Sequence, residues 1–530
     1  MANKYVTICV AWPYANNDLH LGHVAGLISG DVLARYHRMA GDNVLMVGGT
    51  DSHGSKPSVK AKLEGVTPKD IVDRYDLNFR KTFEKFNFSF DKYSITYDGY
   101  HKQKVQEFAK LFYKNGYLYE SEKTRPFCPT CGKFMADSEL EIVCPNCKKT
   151  TKADGCDCGF VPTEQDLENA KCLICGGKTV SKKNKVLVFK LSAFKDELEN
   201  YVDKNCGIWR ANSINETRKY LQDLQDRDFS RDLDWGIDIP IDGFRDKKIW
   251  VWWEALLGYV TDTMKVCEER NLNFEDYWKN SSKTDKKIYM CHAKDNIPFH
   301  SLFLPAMLLA TKQDYFLPNI MVSSEYLTAN DEKMSKSKGN GFLALDLCNL
   351  YDSDSLRFYL VAYGPEKRDT NFTIDLYKSI HNGEVVNKIG NLINRVLKFK
   401  GLENLPNGTL SKEIEDMVKL TYQKSAELIE TLEFKKYVDC VMDLVAFANK
   451  FYDEQKPWVQ AKENVNAFNN TIYSCAYVIA NLSNLLEPVM PNACSKIREY
   501  LNLNKKPLWG ELKVNGNISL AKVEPLFSRI

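Results

Sequence analysis

No stretch of the 530 residues approaches the roughly 18 uncharged apolar positions that a membrane-crossing helix needs. The opening MANKYVTICV has the features of neither a signal nor a transit peptide, so the expected setting is the cytoplasm, with no membrane partner. Net charge is almost absent too. Lys and Arg number 72 against 70 Asp and Glu, leaving +2, so the field of the whole protein announces no polyanion and local patches must do so. Long repeats and low-complexity tracts are missing, which leaves ordinary globular domains, about three or four at this length. Cysteine is the exception to this plainness. Eight of the 16 crowd between Cys128 and Cys175, and the rest are scattered, with Cys9 inside an apolar strand. Disulfide scaffolds belong to short secreted chains; this pattern reads as reduced and metal-binding.

The most informative stretch is Ala11-Trp12-Pro13-Tyr14-Ala15-Asn16-Asn17-Asp18-Leu19-His20-Leu21-Gly22-His23. The apolar run Tyr5 to Val10 before it predicts a buried strand. Val24 to Met39 after it has helical spacing, with Gly41 as C-cap. A helix therefore opens near His20-Leu21-Gly22-His23, where free N–H groups and a partial positive charge suit a phosphate. Two imidazoles on that turn would face the same anion, although a plain turn with two surface histidines has the same sequence. A second strand, Val44 to Val47, ends in Gly48-Gly49-Thr50-Asp51-Ser52-His53-Gly54, and Asp51 suits either an ammonium ligand or a helix N-cap. Helical segments near 68–86 and 101–115 are expected to cover the sheet.

In the cysteine cluster, Cys128-x2-Cys131 with Cys144-x2-Cys147 predicts one tetrahedral zinc site, and Cys156-x-Cys158 with Cys172-x2-Cys175 a second. So few apolar residues lie nearby that metal binding would supply much of the knuckle's folding energy. Val186 to Leu191 then resumes a strand and Glu197 to Asp226 reads as helical. Ile249 to Tyr259 is an aromatic strand-to-helix passage in which Trp250 is expected in the core. Ile288 to Cys291 is a strand leading to Asp295, placed where a ribose diol could be held. Finally, Lys333-Met334-Ser335-Lys336-Ser337-Lys338-Gly339-Asn340 is a cationic loop suited to a polyphosphate, or else to solvent.

HLGH at 20–23 and KMSKS at 333–337 together resemble the two hallmark motifs of the class I aminoacyl-tRNA synthetases. AWPYANNDLHLGH, the cysteine knuckles, WEALLGY, KDNIPFHS and SSEYLTANDEKMSKS extend that likeness to the methionyl-tRNA synthetases over nearly the whole chain. The resemblance implies an α/β fold: a Rossmann-like parallel sheet split by an inserted zinc-knuckle domain, followed by an all-α helical bundle. The expected divisions are 1–117 and 236–325 for the catalytic halves, 118–235 for the insertion, 326–374 for the KMSKS loop and linker, and 375–530 for an anticodon-binding domain. It further implies that methionine and ATP (with Mg²⁺) react to methionyl-adenylate and pyrophosphate, and that the aminoacyl group passes to the 3′-terminal adenosine of tRNA(Met).

Carried over residue by residue, His20, His23, Lys333 and Lys336 would be catalytic, and His20, Gly22, His23, Asp295, Lys333, Ser335, Lys336 and Ser337 would bind ATP. Methionine would meet Ala11, Trp12, Tyr14, Asp51, Trp252, Ala255, Leu256, Tyr259, Asn296 and His300. All eight clustered cysteines, Cys128, Cys131, Cys144, Cys147, Cys156, Cys158, Cys172 and Cys175, would ligate one or two structural Zn²⁺. Asn387, Asn391 and Arg395 at helical spacing, with Trp458, would read the anticodon; without the resemblance Trp458 would be taken for a core residue. The chain departs from the family at Trp12 (usually Leu or Ile), Leu256 (Pro in many bacterial members), Asn296 (apolar in some) and the single-residue gap of Cys156-x-Cys158. No length remains for an appended dimerisation domain, so a monomer is expected. Intact His20, His23, Lys333 and Lys336 argue against the rival reading, a tRNA-associating factor with an inactive nucleotide fold.

Overall fold

The computed structural model describes residues 4–153, 158, 160, 165–167, 170–329, 332, 333 and 341–530, the side chains of Gln165, Glu332 and Lys333 excepted. Strand β1, Tyr5–Val10, is buried at every position after Tyr5. Its near-continuous apolar run, in place of an alternating one, is the mark of a strand covered on both faces. It pairs in parallel with β2 (Asn43–Thr50) on one edge. On its other edge lies the strand Lys286–Ala293, also parallel. With β3 (Lys92–Ile95), these strands, labelled β4 (Lys286–Ala293) and β5 (Ile320–Ser324), form a five-stranded parallel sheet in the order β5-β4-β1-β2-β3. From β1 the chain moves outward to β2 and β3, and only after the insertion returns to β4 and β5. The crevice beyond the carboxyl ends of β1 and β4 is therefore the topological switch point, where such sheets bind ligands.

Successive residues of β1 supply two cores. Val6, Ile8 and Val10 join a cluster shared with helix α1 (Leu21–Met39) that continues into the C-terminal helices. Cys9 joins the opposite cluster, shared with helix α2 (Val251–Arg270). That is the two-residue alternation of a strand between two layers.

The insertion leaves the sheet as a long antiparallel ribbon, Leu118–Cys128 against Val180–Phe189, in register from Leu118↔Phe189 to Phe127↔Val180. Its second strand begins six residues before the expected Val186, because Ser181 to Lys183 and Lys185 are exposed and give no apolar signal. The expected continuous helix over Glu197–Asp226 is two helices, Lys195–Asn205 and Ala211–Gln222. The break lies where Trp209 turns into the core and donates its indole N–H to Asn319 O at 2.8 Å.

From Ile374 to Tyr500 the chain is mostly helical, whereas 501–530, expected within the helical domain, holds no helix. The expected stripe is largely internal: Val385, Ile389, Leu392 and Val396 are buried, with Ile380 and Phe399 packed against them. The turn is widened to π geometry over His381–Gly390. Longer helices follow at Lys412–Glu430, Phe434–Gln455 and Val465–Leu485. Among the described residues no helix is long and apolar enough to cross a membrane.

One buried cation joins the two halves. Arg357, on helix Ser353–Ala362, is fully buried. It donates to Asp31 of α1 at 2.7 Å, and to the carbonyls of Phe86, Pro488 and Val489 at 2.8–2.9 Å. Asp31 also accepts from Arg35 and Ser89. Burial alone would raise its pKa, but Arg35 and Arg357 more than offset that and hold the carboxyl well below the usual range. Removing one member of such a network strands the others in a dry interior. Arg357→Ala is expected to cost about 3–5 kcal/mol, read as a lower midpoint of denaturant unfolding. A wild-type midpoint would show that water enters and replaces the guanidinium without cost.

Candidate active site and cysteine clusters

The switch-point crevice holds a cavity of about 500 Å³. It gathers all ten residues singled out for methionine: Ala11, Trp12 and Tyr14 follow β1, Asp51 follows β2, Trp252, Ala255, Leu256 and Tyr259 lie on α2, and Asn296 and His300 follow β4. Asp295 lines it as well, held by the Tyr326 hydroxyl. A smaller cavity of about 260 Å³ adjoins it, sharing Pro13, Tyr14 and His23 and reaching His20, Gly341 and Leu343.

Between the two cavities the HLGH turn is preorganised. The rings of His20 and His23 stack with centroids 3.7 Å apart, and His23 Nδ1 accepts the His20 backbone N–H at 3.1 Å. A Cβ on Gly22 would lie 3.0 Å from the His20 ring, so glycine allows the approach. His23 is exposed to the cavities it lines, while its depth in the molecule and the neighbouring His20 bring its pKa down to about 3. The neutral ring, accepting at Nδ1, therefore carries its proton on Nε2 as a donor.

The floor of the larger cavity is a set of carboxyls with too few partners. Asp51 is buried, and its Oδ1 has no hydrogen-bond partner among the described residues. Burial, with Glu254 nearby, pushes its pKa well up. Glu254 is fully buried and pushed up likewise by burial. Its one bonded oxygen meets His53 Nδ1 at 2.8 Å, and burial lowers His53 to about 3. The site is thus short of one cation beside Asp51. On the opposite wall orientation is fixed: His300 Nδ1 lies 2.8 Å from Asn296 O, a bond in which it donates, so its Nε2 accepts the Tyr259 hydroxyl at 2.8 Å.

Trp12 fills space that two glycines leave open. A Cβ on Gly258 would come within 2.5 Å of its indole, and one on Gly49 within 2.7 Å. Trp250, expected in the core, is instead half-buried at the cavity wall with the Arg231 guanidinium 4.5 Å over its ring. The fully buried residue is Trp253, whose indole N–H donates to Asp228 O. Arg231, Glu254 and His53 were not anticipated. A carboxylate inside the apolar WEALLGY run was a usable signal for Glu254; Arg231 had none. Ser335, Lys336 and Ser337 lie outside the described residues, as do the side chain of Lys333 and all of Cys156.

The thiols group differently from the expected sets. Cys128, Cys131, Cys172 and Cys175 come together, and Cys144, Cys147 and Cys158 form a second group. The ribbon explains the correction: pairing Phe127 with Val180 brings the end of one strand to the start of the other, so the outermost cysteine pairs meet. Sulfur separations of 3.4 Å (Cys128–Cys175), 3.7 Å (Cys131–Cys172) and 3.6 Å (Cys144–Cys158) match the edges, about 3.8 Å, of a tetrahedron with Zn–S near 2.3 Å. Backbone N–H groups of Cys131, Ile174 and Gly177 point at the sulfurs, as thiolates require. The donor set fits zinc.

In the helical part, Asn387 and Asn391 are exposed and Arg395 is half-buried. Arg395 pairs with Asp453 and lies 4.5 Å over the Tyr452 ring. Trp458 is 45 % exposed, its ring centroid 6.2 Å from that of Tyr452, so it is not a core residue.

Residues 6–397 match the family described as tRNA synthetases class I (M), and 405–524 match the anticodon binding domain of methionyl tRNA ligase. The chain is 40% identical over 527 residues to methionine--tRNA ligase 1 of Alkaliphilus oremlandii, covering 98% of this chain and 96% of that protein. It is 38% identical over 529 residues to methionine--tRNA ligase of Bacillus cereus strain Q1, with the same coverage. Among solved structures, Mycobacterium tuberculosis methionyl-tRNA synthetase in complex with methionyl-adenylate superposes with a TM-score of 0.80 at 23% identity, over 100% of both chains.

The cysteine grouping has a direct test in metal content. Cys128→Ser and Cys172→Ser are each expected to lose the same single equivalent of zinc, and the double variant no more than either alone. Cys144→Ser should remove a further, separate equivalent. Additive losses for Cys128 and Cys172 would return the thiols to their sequential pairing.

Proposed function

The chain belongs to the class I tRNA synthetases of the methionine type, and we propose that it works residue by residue as follows. It is a methionine–tRNA ligase: methionine and ATP give methionyl-adenylate and pyrophosphate, and the aminoacyl group then passes to tRNA. The observation that carries the residue assignment is the joined pair of cavities at the switch point, one aromatic with an acidic floor, the other opened by the HLGH turn.

Methionine enters with its ammonium against Asp51, supplying the cation that the unpartnered Oδ1 lacks. Its thioether packs among Trp12, Tyr14, Trp252, Ala255, Leu256, Tyr259 and His300, where polarisable sulfur gains from ring contacts. Asn296 and Ala11 complete the wall. A carboxylate oxygen then attacks the α-phosphorus of ATP; the P–O bond to the bridging oxygen breaks and pyrophosphate leaves. His20 and the Nε2–H of neutral His23 donate to the phosphate oxygens as charge builds, Gly22 letting them approach. Lys333 and Lys336 neutralise the departing phosphates, with Ser335 and Ser337 as hydroxyl donors, and Asp295 accepts from the ribose. Mg²⁺ accompanying ATP would screen its phosphate charge. No covalent enzyme intermediate is needed; positioning and electrostatics suffice. In the second step the terminal adenosine hydroxyl attacks the adenylate carbonyl, and AMP leaves.

Cys128, Cys131, Cys172 and Cys175, and the group Cys144, Cys147 and Cys158, would each hold a Zn²⁺ that ties the knuckle of the insertion together and takes no chemical part. Trp458 receives a splayed anticodon base, with Asn387, Asn391 and Arg395 reading edges alongside. The enzyme acts as a cytoplasmic monomer.

Pyrophosphate exchange into ATP, run with each amino acid in turn and no tRNA, tests the assignment. Methionine alone should stimulate it; stimulation by another amino acid would discard the pocket. The same assay tests Trp12. Gly258→Ala should raise the KM for methionine by roughly tenfold or more, because its methyl collides with the indole. Trp12→Leu in that background should recover most of the loss. An unchanged KM in Gly258→Ala would mean that the indole is free to move aside.

A further inference from the structure

At the acidic floor of the large cavity, three polar atoms are closed off from solvent without a hydrogen-bond partner among the described residues: Asp51 Oδ1, Glu254 Oε2 and His53 Nε2. The two carboxyls come from different walls of the crevice, Asp51 from just after β2 and Glu254 from the first turn of α2. Glu254 is near enough to act on Asp51, whose carboxyl is met by the His53 backbone N–H. One side-chain bond ties the two walls, His53 Nδ1 to Glu254 Oε1 at 2.8 Å. Among the described residues no Lys or Arg is paired with either carboxyl.

The turn that carries Asp51 is pinned in this position. Trp235 donates its indole N–H to Ser52 O at 2.7 Å, accepts the Gly54 N–H, and sets its ring against that of His53, centroids 5.1 Å apart. On the other flank the Ser52 N–H and hydroxyl meet Thr96 Oγ1 at 2.9 and 2.7 Å. Glu254 is fully buried in α2. Two neighbouring carboxyls held dry and without a cation cannot both ionise, so the pair keeps a proton.

The surrounding titratable groups leave that count unchanged. Burial keeps His53 and His101 neutral, each at about 3. Lys102, on helix Gly99–Lys114, acts on Glu254 and both imidazoles through space, and Lys248 acts on His53. The Tyr14 and Tyr259 hydroxyls are pushed up, by burial first and by Asp51 among others, and stay protonated. Lys56, Arg231 and Asp295 stand elsewhere on the cavity wall and bond to neither carboxyl.

We propose that Asp51 and Glu254 hold a proton in the place of the substrate's ammonium, and that binding expels it: the O–H bond of the Asp51 carboxyl breaks, the proton leaves to solvent, and the carboxylate pairs with the ammonium. The proposal rests on the ligase reading above and adds a linked proton to its first binding step. The sign is fixed. Below the range where the ammonium itself titrates, a rising pH removes the competing proton and tightens binding.

Calorimetric titration of the full chain with methionine, without ATP, in phosphate and in Tris counts the protons, because the observed heat changes with the buffer's ionisation enthalpy. Wild type is expected to release roughly one proton per methionine at about pH 7. Methioninol, which keeps the ammonium and lacks the carboxylate, should release the same. The Kd for methionine should tighten by up to about tenfold per pH unit between about pH 6 and pH 7. Glu254→Gln keeps an oxygen to accept the His53 N–H but removes the second acid, so it should carry this dependence to lower pH and release less at neutral pH. Equal heats in the two buffers, release with methionine but not with methioninol, or an unchanged pH dependence in Glu254→Gln would each overturn the proton linkage and leave the ligase reading standing. Absence of methionine-dependent pyrophosphate exchange in wild type would instead overturn the ligase reading itself.

Discussion

Everything in the catalytic part depends on β1 being hydrogen-bonded along both edges. A strand paired in parallel with β2 and β4 cannot slide without breaking two ladders, and its side chains are committed to two cores at once. Where it ends, the neighbouring connections diverge and the crevice is unavoidable. The HLGH turn, Asp51 and Asp295 are all placed at carboxyl ends of strands in this one sheet, although nearly 300 residues separate the first from the last. Remote pieces of sequence become a single site because a backbone ladder measures them against one another.

Polarity inside the crevice follows from that burial. Away from water, Asp51 and Glu254 are driven toward their neutral forms, and His53 and His23 are kept uncharged. These side chains therefore carry less charge than they would in solution. A ligand bringing an ammonium and phosphates restores charge where it binds, so part of the selectivity for such a ligand lies in the groups it ionises as well as in the shape it fills.

What was legible in the sequence was local. Tyr5–Val10 stands as a strand with the expected bounds, since continuous apolarity and strand length agree. The HLGH turn, with its glycine between two histidines, carries its own geometry. The cysteine pairing was not legible, because adjacent C-x2-C motifs look like partners until a ribbon pairs Phe127 with Val180. The same distance in sequence hid the break at Trp209, which turns inward toward Asn319 more than a hundred residues on. Trp250, expected in the core, lies at the wall for a related reason: wall and core are chosen along this helix start only once Asp228 and Arg231 are in place. Arg357 gave no hint at all, its partners being carbonyls and a carboxylate from three separate segments.

The regrouped thiols make one site a loop within a loop. Cys144, Cys147 and Cys158 close a short span of chain, whereas Cys128, Cys131, Cys172 and Cys175 close a longer one around it. Closure entropy grows with the logarithm of loop length, so the inner closure costs about 1 kcal/mol less than the outer one in a disordered chain. Once formed, the inner knot shortens the effective span that the outer four must bridge. The inner group is therefore the easier of the two to close from a disordered chain, and the outer four are the ones that tie the insertion to its ribbon.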